Sequence, residues 1–275
     1  MKKKICALAM VAALAIGTLA GCGNDAPAGG DAATGGSAGG EEAITFTVGF
    51  DAEYPPYGYM DENGEYVGFD LELAQAVCDM EGWTLVKKPI NWDSKDMELD
   101  SGAIDCIWNG FTINGREDQY TWSDPYADNS QVIVVSEASG IKTFDDLAGK
   151  KVGVQAASAA LDVLTNEEAQ KALGDTFGEL KQFSDYNVAF TELQAGALDA
   201  LAIDIGVANY QIATRGEGFI ILEEHLNSEQ YGIGFKLGNE ELRDIVNADV
   251  LKLAEDGTVA ELAEKYGITD SIILE

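Results

Sequence analysis

Leu99-Asp100-Ser101-Gly102-Ala103-Ile104-Asp105 and Leu193-Gln194-Ala195-Gly196-Ala197-Leu198-Asp199 are two copies of one pattern, Leu-x-x-Gly-x-[Ile/Leu]-Asp. Each copy follows a helical stretch and runs into an apolar strand: Cys106-Ile107-Trp108 in the first case, Ala200-Leu201-Ala202-Ile203 in the second. Glycine there suits the left-handed residue that ends a helix. The aspartates Asp105 and Asp199 read as turn or cap residues. Outward from the first copy, residues 44–50 and 83–86 read as strands. Between them Leu71, Leu73, Ala74, Val77 and Cys78 mark a helix, capped by Asp70 and stopped by Gly82. Outward from the second copy, Lys151-Val152-Gly153-Val154-Gln155 reads as a strand, and Ser158 opens a helix over 159–164. Strands alternating with helices build parallel sheets covered by helices. The repeat therefore predicts an α/β protein of two Rossmann-like lobes.

The C-terminal part returns to the first lobe. Tyr231-Gly232-Ile233-Gly234-Phe235 is strand-like, and 241–255 is an amphipathic helix with Leu242, Ile245, Val246, Val250 and Leu253 on one side. Gly257 stops it, and a short helix ends at Lys265-Tyr266. The expected division is 44–133 plus 230–275 for lobe 1 and 134–229 for lobe 2. The chain then crosses twice, near 132–136 and near 228–232. Two crossings make a two-strand hinge, which suits closure on a ligand.

Composition removes several functions. Of 275 residues, 46% are hydrophobic, enough for a substantial core. Lys and Arg number 17 against 48 Asp and Glu, a net charge of −31, so nucleic acid is excluded as a partner. The single histidine, His225, rules out a His-based triad or a multi-His metal site. Four cysteines without CxxC spacing rule out a zinc ribbon. No catalytic residue, metal or cofactor is expected, and the chain is expected to be a monomer.

Residues 1–22 read as an address. Lys2, Lys3 and Lys4 precede an apolar run too short for a membrane span. Leu19-Ala20-Gly21-Cys22 resembles the lipobox of bacterial lipoproteins, which makes Cys22 the lipidated first residue after cleavage. Residues 23–43, rich in Gly, Ala and Ser, read as a flexible linker. Losing three lysines with the leader takes the charge from −31 to −34. Such a chain is repelled by anionic lipid heads, so the lipid must hold it to the outer face of the cell membrane.

Ligands of open α/β sheets bind beyond the carboxyl ends of the strands. There lie Asp51, Tyr54, Pro55, Pro56 and Tyr57, then Asn109, Gly110, Phe111, Thr112 and Arg116, then Gln155 and Ser158, then Asp204. With these residues the chain resembles the extracytoplasmic solute-binding proteins that deliver polar amino acids to ABC importers. The matching stretches are Asp51-Ala-Glu-Tyr-Pro-Pro-Tyr57, Gly64-Glu-Tyr-Val-Gly-Phe-Asp70, Asn109-Gly-Phe-Thr-Ile-Asn-Gly-Arg116, Trp122-Ser-Asp-Pro-Tyr126, Phe144-Asp-Asp-Leu-Ala-Gly-Lys-Lys-Val152 and 193–204. Their order spans almost everything after residue 44.

The resemblance implies a type II periplasmic-binding-protein fold and a receptor that hands a polar or cationic L-amino acid to a membrane permease. It places Arg116 on the ligand's α-carboxylate, with donors from Thr112 and from backbone N–H groups near Gly110 and Ser158. Asp204 takes the α-ammonium, although it can also cap the helix that follows. Tyr54 and Trp92 pack along the side chain, and Asp51 and Asn109 meet its polar tip. Two departures stand out. Thr112-Ile113-Asn114-Gly115-Arg116 is one residue shorter than the common family pattern, and Ala157-Ser158 stands where Gly-Thr is usual. Acidic ligands are not expected, because the candidate positions hold no second Arg or Lys. Cys78 and Cys106 stay open between a disulfide, which an oxidising compartment permits, and two buried thiols. Prephenate- or arogenate-dehydratase-like enzymes are the alternative on this scaffold. An enzyme needs a positioned acid or base. Asp51 and Asp204 have simpler duties as partners for cationic groups, so a binding module is expected.

Overall fold

The computed structural model describes residues 44–166, 169–216 and 218–274. The leader at 1–22, the linker at 23–43 and Cys22 lie outside the described residues. No helix among the described residues is long and apolar enough to cross a membrane.

Two sheets carry the molecule. In the first, Thr45–Phe50 runs parallel between Thr84–Pro89 and Cys106–Thr112, and Glu229–Phe235 adds antiparallel beside Cys106–Thr112. Thr121–Trp122 and Ala127–Asn129 pair with Glu229–Phe235. In the second, Lys151–Gln155 runs parallel between Glu179–Phe183 and Ala200–Asp204. Gln131–Ser136 then adds antiparallel, followed by Phe219–His225. The sheets are thus mixed rather than purely parallel. In each, the antiparallel strand is the one through which the chain arrives from the other lobe. The first crossing falls at Ser130 rather than at 132–136, because Gln131–Ser136 is ladder-paired to Ala200–Asp204 along its length. The second lies between His225 and Glu229.

The repeated pattern does the same work in both lobes. Gly102 and Gly196 take φ of 73° and 72°, ending their helices in the left-handed region. The Asp105 N–H donates to the Thr47 carbonyl at 2.8 Å, while its Oδ2 accepts the Thr47 N–H at 2.7 Å. The Asp199 N–H donates to the Lys151 carbonyl at 2.9 Å, and its Oδ2 accepts the Lys151 N–H at 2.8 Å. Leu99, Ile104, Leu193 and Leu198 are buried around these clamps. Each aspartate therefore bonds its incoming strand to the neighbouring parallel strand, a more specific duty than a turn or cap.

Three local expectations change. The helix Phe69–Glu81 starts after Gly68, so Asp70 is not its cap. Asp70 points into the core, where Oδ2 accepts the Gly110 N–H at 2.6 Å and the Tyr126 hydroxyl at 3.0 Å. The strand expected to end at Trp108 continues to Thr112, because its far end pairs with Tyr231 and Gly232. Cys78 and Cys106 are free thiols buried in one core, not a disulfide. The helix and the strand place them in the same apolar layer, where burial raises both thiol pKa values, Cys78 to about 11.

The C-terminal helices Glu240–Glu255 and Thr258–Tyr266 pack on Phe69–Glu81. Lys265 pairs with Glu72 at 2.6 Å, and the Tyr266 hydroxyl donates to Glu72 and accepts the Gly68 N–H.

Candidate functional site

The strand ends of the two sheets face each other across a cleft. Tyr54, Trp92, Gly110, Thr112 and Arg116 from the first lobe meet Gln155, Ser158, Ala159 and Asp204 from the second around a nearly closed space of about 10 Å³. Seven of these nine are residues that the sequence pointed to as binding positions. Asp51 and Asn109 are not in this lining.

Asp204 ends Ala200–Asp204 and occupies the cap position of the helix Ile205–Arg215, but its side chain makes no capping bond. Instead its Oδ1 accepts the Tyr231 hydroxyl at 2.7 Å, Asn129 Nδ2 at 2.8 Å and Gln131 Nε2 at 2.5 Å. The same two amides also donate to Glu229 Oε1, at 2.7 and 2.8 Å. Two buried carboxylates thus share neutral donors and have no ion-pair partner among the described residues. Burial and the nearby Glu229 charge push the Asp204 carboxyl up to about 6. A carboxylate held this way favours an incoming cation.

Arg116 is only 7% exposed, so it is not a surface ion pair. Its guanidinium lies over the Phe111 ring at 5.4 Å, and Nη2 meets Asp162 Oδ2 of the other lobe at 2.6 Å. The short Thr112–Arg116 segment still delivers the side chain into the cleft. Trp122 Nε1 fixes the turn by donating to the Arg116 carbonyl at 3.1 Å. The donors expected beside it are partly committed elsewhere. The Gly110 N–H belongs to Asp70, and the Thr112 hydroxyl donates to Glu229 Oε1 at 2.8 Å. Gly110 nevertheless lines the cavity. Its φ is 54°, and a Cβ there would lie 3.0 Å from the Tyr54 ring and 3.1 Å from Tyr231. Ser158 caps the helix Ala159–Thr165 by accepting the Leu161 N–H at 3.2 Å. Ala157, just before it, sits at φ 55°.

Toward the far end, Asp51 and Trp92 line a groove of about 380 Å³ that also contains Glu53, Glu98 and Asp185. Gln155 connects it to the enclosed cavity, donating to Asp51 Oδ2 at 2.6 Å across the lobes. Burial pushes the Asp51 carboxyl up to about 6. Asn109 acts from behind: its Oδ1 accepts the Asp51 N–H at 3.0 Å.

The sequence reading passed over Lys95, Glu229, Asn129 and Gln131, and named Gln155 and Ala159 without a binding role. The signals were present as polar residues at inward positions of apolar elements, Gln131 opening Gln-Val-Ile-Val-Val-Ser above all. The described residues contain no group of three or more His, Cys, Asp or Glu arranged to hold a metal.

The model of the family "bacterial extracellular solute-binding proteins, family 3" matches residues 46–269. The L-cystine-binding protein TcyJ of Escherichia coli (strain K12) is 31% identical over 229 residues, covering 82% of this chain and 84% of that protein. Among solved structures, a substrate-binding protein of an ABC uptake transporter from Streptococcus pneumoniae with bound histidine aligns with a TM-score of 0.76 and 34% identity, covering 81% of this chain and 92% of that one. An ancestral arginine-binding protein bound to arginine aligns with a TM-score of 0.73 and 37% identity, covering 81% and 97%. These relatives are binding proteins rather than enzymes. On the span of the family match and the shared architecture, this chain belongs to the family 3 bacterial extracellular solute-binding proteins.

Proposed function

We propose that this protein is the lipid-anchored receptor of an ABC importer, capturing a polar or cationic L-amino acid between its lobes and passing it to the membrane permease. The observation that carries this reading is the convergence of Arg116 and Asp204, from opposite lobes, on one enclosed cavity. A guanidinium suits a carboxylate and a buried carboxylate suits an ammonium, so the pair matches the head of a zwitterion. Ligand and lobes then share their charges, and closure depends on occupancy. The groove beyond Trp92 is acidic, which favours a side chain ending in a donor. Arginine, histidine and cystine, which appear in the descriptions of matched relatives, all carry such a nitrogen. Anchoring rests on Leu19-Ala20-Gly21-Cys22 and the small-residue tether behind it.

A thermal-shift screen across the amino acids tests this reading, because a ligand bound only by the folded state raises its melting temperature. At least one polar or cationic L-amino acid is expected to shift it. Arg116→Ala is expected to erase every response, whereas Asp51→Ala is expected to reorder the ligands. A full response in the Arg116 variant would place carboxylate capture elsewhere.

A further inference from the structure

Beside Arg116 lies a second buried cation. Lys95 opens the short helix Lys95–Asp100, directly after the turn that carries Trp92, and is 4% exposed. Its Nζ lies over the Trp92 ring at 5.4 Å and donates to the Ala157 carbonyl of the other lobe at 3.3 Å. Among the described residues no carboxylate lies within ion-pair distance of it. Its neighbour Asp96 accepts the Tyr120 hydroxyl. Asp162 is taken by Arg116.

Lys95, Arg116 and Asp162 share the wall of a basin of about 690 Å³ that borders the enclosed cavity, with Arg116 and Ala159 lining both. A buried ammonium with one backbone acceptor and two donors to spare is costly unless an anion meets it. Burial, and then the Arg116 charge, lower the Lys95 pKa, against the opposing pull of Asp96, Asp162 and Asp93. The Asp162 carboxylate already shows that the space between the lobes beside Arg116 accepts an anion. It is itself largely exposed, with solvent beside it.

We infer that Lys95 is a second carboxylate-binding residue: with the ligand in place, its carboxylate displaces Asp162 and is gripped by Arg116 and Lys95 together. This rests on the amino-acid reading above and adds to it. The head of the ligand meets two cations rather than one, so the site discriminates against ligands whose carboxylate is blocked. Lys95 also supplies the second cation that the sequence reading did not find near the cleft.

The test crosses a protein change with a ligand change. The amino acid among L-arginine, L-histidine and L-cystine that most raises the melting temperature of the full chain is titrated calorimetrically, as free acid and as α-carboxamide. Lys95→Met keeps the length and apolar stem and removes the charge. A charge-assisted hydrogen bond lost from a buried site predicts roughly a ten- to hundredfold weaker binding of the free acid. The carboxamide should change by less than about threefold. Equal losses on both ligands would mean that Lys95 only holds the lobes together through Ala157, and would overturn the inference. So would unchanged binding of the free acid. If Lys95→Met does not fold, a ligand-bound crystal structure of the unaltered chain decides: Nζ within hydrogen-bond distance of the carboxylate supports the inference, and Nζ beyond 4 Å overturns it. If no amino acid binds the unaltered chain, the amino-acid reading itself fails and the role of Lys95 with it.

Discussion

Acidification from pH 7.5 to 5.0 should weaken ligand binding about tenfold. Burial and the nearby Glu229 push the Asp204 carboxyl up to about 6. An ammonium ligand pairs with the ionised form alone. With a pKa of about 6, nearly every molecule is ionised at pH 7.5, half at pH 6, and about one in eleven at pH 5. The apparent dissociation constant rises in proportion, and tenfold corresponds to about 1.4 kcal/mol. Asp51 is also raised to about 6, so a cationic side chain seated against it should lose up to about another tenfold. L-Arginine and L-glutamine separate the two effects, because their own charges do not change in this interval. Calorimetric titration at pH 7.5, 6.0 and 5.0, in two buffers of different ionisation enthalpy, counts the protons released on binding. About half a proton for glutamine and up to about one for arginine are expected at pH 6, roughly doubling at pH 5. A dissociation constant constant within twofold across the interval would refute the pairing of ammonium with Asp204.

Stability of the ligand-free protein should run the opposite way. Asp51, Asp70 and Asp204 are raised above the ordinary 3.8, to about 6, 7 and 6. Their contribution is therefore fully present below pH 3.8 and lost as pH rises through 6 to 7. The melting temperature should climb between pH 7.5 and 5; a fall would argue against these buried carboxyls. Ala157→Gly should raise stability by about 0.5–1 kcal/mol in chemical denaturation, since a left-handed alanine is strained and glycine is not. An ordinary alanine-to-glycine loss would contradict the φ of Ala157. Cys78 and Cys106 should resist iodoacetamide in the native protein and both label in denaturant without reductant. A disulfide-linked peptide pair would show that the thiols are not free.

The frame of the molecule was legible because it rests on local signals. Leu99–Asp105 and Leu193–Asp199 announce a helix end and a strand start from neighbouring residues, and the two copies imply the same sheet order. Arg116, Ser158 and Asp204 were legible because each follows a predicted strand. The gaps have a common physical cause. Glu229 meets Thr112 and Asn129, Lys95 meets Ala157, and Asp51 meets Gln155, contacts between residues about 60 to 117 positions apart along the chain. No local pattern encodes them. The committed donors tell the same story. The Gly110 N–H looked available because nothing near it in sequence claims it, whereas Asp70, 40 positions away, does.

The two sheets also differ in how early each can be finished. Every strand of the second lies between Gln131 and His225, an unbroken stretch. The first needs Glu229–Phe235, which pairs with three of its strands and arrives more than a hundred residues after Cys106–Thr112. Cooperative units tend to fold as they become complete. The later-starting lobe can therefore assemble while the earlier one still waits for the strand that ties three of its others together.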